Sequence, residues 1–123
     1  MQDIKKIIKN LNIENLDPET RRELKKLVVK KDEKQRHNRI QTDFMSFVKH
    51  MWPDFIEGDH HKIIAEKFNN LKSRKTTRLI VNMPPRHTKS EFASFLLPAW
   101  MIGNSPKLKI IQATHTAELA VRF

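Results

Sequence analysis

Hydrophobic and polar residues alternate with helical spacing in the first part of the chain. The first apolar group predicts a short amphipathic helix: Ile4, Ile7, Ile8 and Leu11. Asp17, Pro18 and Glu19 follow in the order of an N-cap, a first-turn proline and an acidic residue at the positive helix end, so they predict the start of a second helix. The polar run from Lys30 to Arg39 then predicts that this helix frays or becomes a linker.

Two further helices are predicted between residues 42 and 76. The apolar residues of the first recur at three and four positions before Pro53 interrupts them: Phe44, Phe47, Val48 and Met51. Asp59 follows Gly58 and predicts the N-cap of the second, whose apolar face is Ile63, Ile64, Phe68 and Leu71. We therefore divide the chain into a basic helical segment, residues 1–41, and a compact domain that begins at residue 42.

The rest of the chain alternates between strand-like and helix-like patterns. Residues 79–81 form a short branched apolar run that predicts a strand buried on both faces, and residues 107–113 predict a second strand. Helices are predicted over residues 89–101, with a kink at Pro98, and from residue 116 onward. A strand, helix, strand, helix order predicts an α/β fold with a parallel sheet.

Composition and charge narrow the possible functions. Of the 123 residues, 38% are hydrophobic and 31% charged, which is typical of a globular protein, and no run approaches the length of a membrane span. The absence of cysteine excludes disulfides and thiolate metal sites. The net charge of +10 favours a polyanionic partner, but the basic excess is the same in residues 1–40 as in residues 41–123, so scattered surface lysines are an equal alternative.

The residues from Met83 to Ser90, MPPRHTKS, carry the strongest chemical signal. They lie between a predicted strand and a predicted helix, where backbone N–H groups bind phosphate, a lysine reaches the β and γ oxygens and a hydroxyl ligates Mg²⁺. Lys89 and Ser90 fit these two roles. In the pattern GxxxxGK[ST], however, Met83 and Thr88 occupy the glycine positions, and a β-branched residue is a poor substitute where φ is positive. The alternative is an ordinary strand end followed by a helix with a surface lysine.

This loop resembles the deviant Walker A loop of phage terminase large subunits, written PPRHGKS, in six of seven letters. Three flanking stretches, DHHKIIAEKF, TRLIVNM and KIIQATHTAELAVRF, resemble their counterparts in the same order, so the resemblance covers about residues 42–123. It implies the start of an ASCE-type P-loop NTPase domain, preceded by N-terminal helices, in a motor that packages double-stranded DNA with ATP and Mg²⁺. The implied partners are other terminase large subunits, the portal and the small terminase subunit, in the host cell cytoplasm.

The resemblance also assigns roles to single residues. It implies that the nucleotide is bound by Pro85, Arg86, His87, Thr88, Lys89 and Ser90. In this set Lys89 binds the β and γ phosphates, Ser90 holds Mg²⁺ and Arg86 stabilises charge during transfer, unless Arg86 forms a salt bridge instead. His60 and His61 match the region of the adenine contacts, the alternative being first-turn helix residues without a ligand. Thr114 and His115 match a segment that couples nucleotide state to DNA, or simply close a strand.

An ATPase of this class also needs an acidic pair at the end of a later strand, and we expect negligible hydrolysis from these residues alone because no acidic residue here fits that role. The nuclease domain of the family is likewise not represented. The alternative functions are a basic nucleic-acid-binding module and an assembly fragment, both without nucleotide hydrolysis.

Overall fold

The computed structural model describes residues 17–122, and helices account for most of this range. The bounds of the elements are α1, Pro18–Thr42; α2, Phe44–Met51; α3, Asp59–Lys72; a π-helical segment, Glu91–Leu96; α4, Leu97–Asn104; and α5, Ala117–Arg122. The chain divides into two compact units at residues 38 and 39. The helix predicted around Ile4 to Leu11 lies outside the described residues. Among the helices of residues 17–122, none is long and apolar enough to cross a membrane.

Helix α1 begins where the sequence predicts. The backbone N–H of Thr20 donates to the Asp17 carboxylate at 3.0 Å. Hydrogen bonding from the Thr20 side chain, and then from its backbone, lowers the pKa of Asp17. The prediction that the helix frays after Lys30 is wrong, because α1 continues to Thr42. Lys, Arg, Glu and Gln are good helix formers, and the run contains neither glycine nor proline, so the backbone has no reason to leave the helix. No residue of α1 is buried.

The second unit is built around one aromatic side chain. Phe44, on α2, is fully buried and meets the rings of three other residues edge-on, with centroid distances of 5.1 Å to Phe68, 5.5 Å to Phe92 and 5.4 Å to Trp100. Edge-to-face contacts add to the burial of apolar area, so this cluster is the main source of stability in the unit. Its other buried members are Met45, Val48, Ile64, Ala65, Leu96 and Leu97.

Polar groups at the edge of this core are paired. The Asp43 carboxylate accepts from the backbone N–H and the hydroxyl of Ser46, both at 2.7 Å, and from the Asn69 amide at 2.9 Å. The Asn69 carbonyl oxygen accepts in turn from the N–H of Phe44 at 2.9 Å, which ties α3 to the start of α2. The Trp100 indole N–H donates to the carbonyl of Ile40 at 2.8 Å. No described buried side-chain nitrogen or oxygen lacks a partner.

The α/β fold is a wrong prediction, because residues 17–122 contain no strand and no sheet. In the first predicted strand Leu79 and Val81 pack against the core, while Ile80 is 87% exposed. In the second predicted strand Ile111 is 97% exposed. No backbone hydrogen bond joins these two described segments. A strand forms only with a hydrogen-bonded neighbour, so β-branched residues alone are not sufficient.

The helix after residue 88 is irregular. It begins at Lys89, passes through the π-helical segment, in which the Leu97 N–H donates to the carbonyl of Phe92 five residues earlier, and continues as α4. Pro98 is the second residue of α4, just after the π-helical segment, and its missing N–H removes a donor that a regular turn would use. The irregularity brings Phe92, Leu96 and Trp100 to the same core.

Candidate phosphate-binding site

The loop singled out by the sequence forms a concave surface. Residues 83–91 line a cavity of about 590 Å³, and the six loop residues predicted to bind nucleotide belong to this lining. His61, the predicted adenine contact, is not part of it. Lys89 and Ser90 form the first turn of the following helix, so the loop ends at a helix N-terminus. Unpaired backbone N–H groups and the positive end of the helix dipole make such a position favourable for an anion.

Two residues of the loop have left-handed backbone conformations. Arg86 has a φ of 64° and Thr88 a φ of 55°. For residues other than glycine, asparagine and aspartate this conformation is uncommon, and it costs about 1–2 kcal/mol for an ordinary L-residue. Thr88 therefore takes up, against its own preference, the conformation for which the usual loop pattern carries glycine at this position.

Hydrogen bonds hold the Thr88 side chain on both sides. Its hydroxyl donates to the carbonyl of His87 at 2.7 Å and lies 2.7 Å from Nε2 of His61. Nδ1 of His61 accepts from the backbone N–H of Gly58 at 2.9 Å. Gly58 is the N-cap of α3, so the prediction of Asp59 as the N-cap is wrong by one residue. The residue at the glycine position is thus connected to the start of a helix 27 residues earlier in the chain.

His61 is a buried residue, only 6% exposed. Burial lowers its pKa, the neighbouring His60 and His87 lower it further, and Glu57 partly opposes them. The pKa below the usual 6.5 keeps the ring neutral at neutral pH. Both ring nitrogens already have partners within the protein, and the adenine contact expected for this residue stays a prediction.

The other histidines lie beside the loop. His60 is exposed, with its ring centroid 3.8 Å from that of His61 and 5.6 Å from that of His87. His87 is held by the donation of its Nδ1–H to the carbonyl of Pro85 at 2.9 Å. The resemblance pairs His60 with His61 as candidates near the base, and the structure brings both of them close to the loop.

The Lys89 ammonium group lies across the loop. Its Nζ donates to the carbonyl of Met83, the first residue of the lining, at 3.2 Å. The guanidinium-bearing residue Arg86 and the hydroxyl-bearing residue Ser90 are exposed in the same lining. The lining therefore combines two cationic side chains with the hydroxyls of Thr88 and Ser90, the carboxyl group of Glu91 and the backbone of the helix N-terminus.

Two predicted residues are not part of this site. Thr114 and His115 do not line the cavity, and the Thr114 hydroxyl donates to the carbonyl of Thr116 at 2.8 Å, just before α5. Within residues 17–122 no group of three or more His, Asp or Glu side chains is placed to hold a metal ion. Any Mg²⁺ at Ser90 would therefore take its other ligands from phosphate oxygens and water.

Sequence reasoning missed the support beneath the loop. It treats His61 as a ligand contact and does not connect it with Thr88 or with Gly58. A histidine three residues after a helix N-cap is a signal for a side chain that reaches back to the cap N–H, but the second contact joins positions far apart in sequence and leaves no local pattern.

The chain matches no protein-family model, no curated protein and no solved structure.

Proposed function

We propose that the loop of residues 83–91 binds the phosphates of ATP with Mg²⁺. In this proposal the chain is the ATP-binding part of a motor that packages double-stranded DNA, of the kind its loop resembles in terminase large subunits. The observation that carries the proposal is the joint placement of Lys89, Arg86 and left-handed Thr88 around one cavity at a helix N-terminus.

The donors of the cavity suit an anion. Lys89 donates to the neutral carbonyl of Met83, and a phosphate oxygen is a stronger partner for an ammonium group because both members of the hydrogen bond are then charged. Arg86 adds a planar guanidinium that can contact two phosphate oxygens at once. A polyphosphate is therefore favoured over a neutral ligand.

The cavity and its hydroxyl also fit a magnesium nucleotide. A volume of about 590 Å³ falls in the range of small-molecule sites. Ser90, directly after Lys89, offers the hydroxyl oxygen that the resemblance assigns to Mg²⁺, whose charge offsets that of the phosphates. Lys89 would hold the phosphates, Arg86 would stabilise negative charge on them, and Pro85, His87 and Thr88 would shape the loop around them.

The decisive experiment is a titration of the protein with a fluorescent ATP analogue in the presence of Mg²⁺. Lys89→Ala is expected to weaken binding at least about tenfold, since it removes a charge-assisted hydrogen bond. Lys67→Ala, on the exposed side of α3, removes the same charge away from the loop and is expected to bind as the unchanged protein does. Equal affinity of the Lys89→Ala and unchanged proteins would exclude the loop as the binding site.

Binding of double-stranded DNA is a second part of the proposal, supported by the net charge of +10 and by the exposed basic residues of α1. Affinity carried by lysine and arginine falls steeply with salt because counterions are released on binding. We expect DNA binding with a steep salt dependence that is unchanged in Lys89→Ala. DNA binding that disappears together with ATP binding would instead place both ligands at the loop.

A further inference from the structure

We infer that His61 is a positioning residue for the phosphate-binding loop, acting through its hydrogen bond to Thr88. The Nε2 atom of His61 and the hydroxyl oxygen of Thr88 are 2.7 Å apart. This inference rests on the proposed function of the loop, and it assigns to His61 a role different from contact with the base.

The direction of the hydrogen bonds follows from the chemistry of the groups. The N–H of Gly58 can only donate, so Nδ1 of His61 must be the unprotonated nitrogen. In a neutral imidazole the proton is then on Nε2, which donates to the Thr88 hydroxyl. The hydroxyl proton is left free to go to the carbonyl of His87. A chain of three hydrogen bonds, each with one donor and one acceptor, therefore runs from Gly58 through His61 and Thr88 to the carbonyl of the preceding loop residue.

The imidazole is also fixed by packing. Its ring centroid lies 4.8 Å from that of Phe55 and 5.2 Å from that of Phe92, and Phe92 is fully buried. Phe92 lies two residues after Ser90, in the helix that directly follows the loop. The ring is therefore held between the core and the loop, and its hydrogen bond transmits the rigidity of the core to Thr88.

The hydrogen bond from His61 compensates for an unfavourable backbone conformation at Thr88. A glycine adopts a positive φ without steric cost, whereas Thr88 incurs a cost comparable in size to the net gain from one hydrogen bond. The His61 contact offsets this cost and selects the left-handed conformation among those open to the loop. His61 and Thr88 together thus replace the conformational freedom of the missing glycine.

Two conservative substitutions separate the two hydrogen bonds of His61. His61→Asn keeps an acceptor at the position of Nδ1 for Gly58 but is too short to reach Thr88. His61→Gln reaches the position of Nε2 and keeps the contact with Thr88. With the fluorescent ATP analogue we expect affinity to fall about five- to tenfold in His61→Asn and to remain near that of the unchanged protein in His61→Gln.

Thermal unfolding of both variants shows whether each is folded under the titration conditions. Unchanged affinity in folded His61→Asn would overturn the inference. Equal losses in the two variants would also overturn it, because they would show a general effect of removing the ring.

The Thr88→Gly variant tests whether His61 acts only because residue 88 is not glycine. In Thr88→Gly protein the hydroxyl and the steric cost are both absent, so His61→Asn is expected to have no further effect on affinity. A loss of the same size with and without the Thr88→Gly substitution would mean that His61 acts by another route, for example through the base, and would overturn the inference.

A measurement without nucleotide distinguishes failure of this inference from failure of the proposed function. Amide hydrogen exchange at residues 86–90 is expected to be faster in His61→Asn than in the unchanged protein and in His61→Gln. If the unchanged protein does not bind the ATP analogue, the proposed function fails, and the exchange rates still decide whether His61 orders the loop. Equal exchange in all three proteins would refute the positioning role itself.

Discussion

The aromatic core and the proposed phosphate-binding loop, residues 83–91, differ in how well their residues suit their conformations. In the core, Phe44, Phe68 and Phe92 lie on helical segments with their rings in edge-to-face contact, and none is more than 2% exposed. In the loop, Arg86 and Thr88 have backbone conformations that favour glycine. The core thus supplies stability that offsets the strain of the loop.

This difference is what physical chemistry predicts for a binding site. Backbone strain persists only where surrounding structure holds it, and it concentrates at sites of function because a relaxed loop would not point its N–H groups at a ligand. Here the surrounding structure can be named. The buried ring of His61 packs on Phe92 of the core and contacts Thr88 of the loop, so the two regions meet in one side chain.

The largest expected effect comes from the core. Phe92→Ala should lower the free energy of unfolding by about 3–5 kcal/mol, because it removes a fully buried ring and leaves a cavity between α2 and the π-helical segment. Chemical denaturation followed by circular dichroism measures this change.

Phe95→Ala is the matched control for this substitution. Phe95 lies in the same π-helical segment but is 54% exposed, so its loss should cost less than about 1 kcal/mol. Equal effects of the two substitutions would show that the core is not centred where the structure places it.

A smaller effect is expected at the polar edge of the core. Asp43→Ala should cost about 1–2 kcal/mol, because it removes the N-cap of α2 and leaves the Asn69 amide without its carboxylate partner. Asp17→Ala removes a similar cap from α1, an exposed helix, and should change the unfolding of residues 39–123 less. The comparison is made by denaturation of the two variants under the same conditions.

The lowered pKa of Asp43 predicts that the stability of the second unit depends on pH. Burial alone would raise the pKa of Asp43, but hydrogen bonds from Ser46 and Asn69 outweigh it and place the pKa below 3.8. The stabilising contribution of the carboxylate is therefore complete above pH 3.8 and is lost as the pH falls through the lowered pKa. Asp43→Asn should flatten the fall in stability in that acidic range, and an unchanged acid profile would contradict the capping network.

The helices of this protein could be predicted from sequence because their signals are local. In the stretch before Pro53 the apolar residues have helical spacing, and the structure forms α2 there: Phe44, Phe47, Val48 and Met51. The N-cap at Asp17 is confirmed for the same reason. The prediction that the helix frays between Lys30 and Arg39 is wrong. The high helix propensity of the charged residues keeps this stretch helical although it has few apolar residues.

The strands could not be predicted in this way because pairing is not a local property. Leu79 and Val81 alternate with exposed Ile80 as a strand would, yet no hydrogen-bonded neighbour pairs with this segment. In the second predicted strand Ile111 is almost fully exposed, whereas Ile110 is 39% exposed. In the loop, too, the sequence does not reveal contacts between residues that are far apart in the chain. Its letters identify Lys89 and Ser90 as lining residues, but only the structure reveals that His61 supports Thr88.

The smallest expected effect tests the strain in the loop directly, by comparing glycine with alanine at position 88. Neither Thr88→Gly nor Thr88→Ala can bond to His61, so the difference between the two variants reports the backbone alone. At a φ of 55° glycine should be more stable than alanine by about 1 kcal/mol. At Glu66, an exposed position inside α3, the order should reverse by a similar amount, because glycine is the poorer helix former. Thermal denaturation of the four variants measures both differences, and the same sign at both positions would mean that Thr88 is not held in the left-handed conformation in solution.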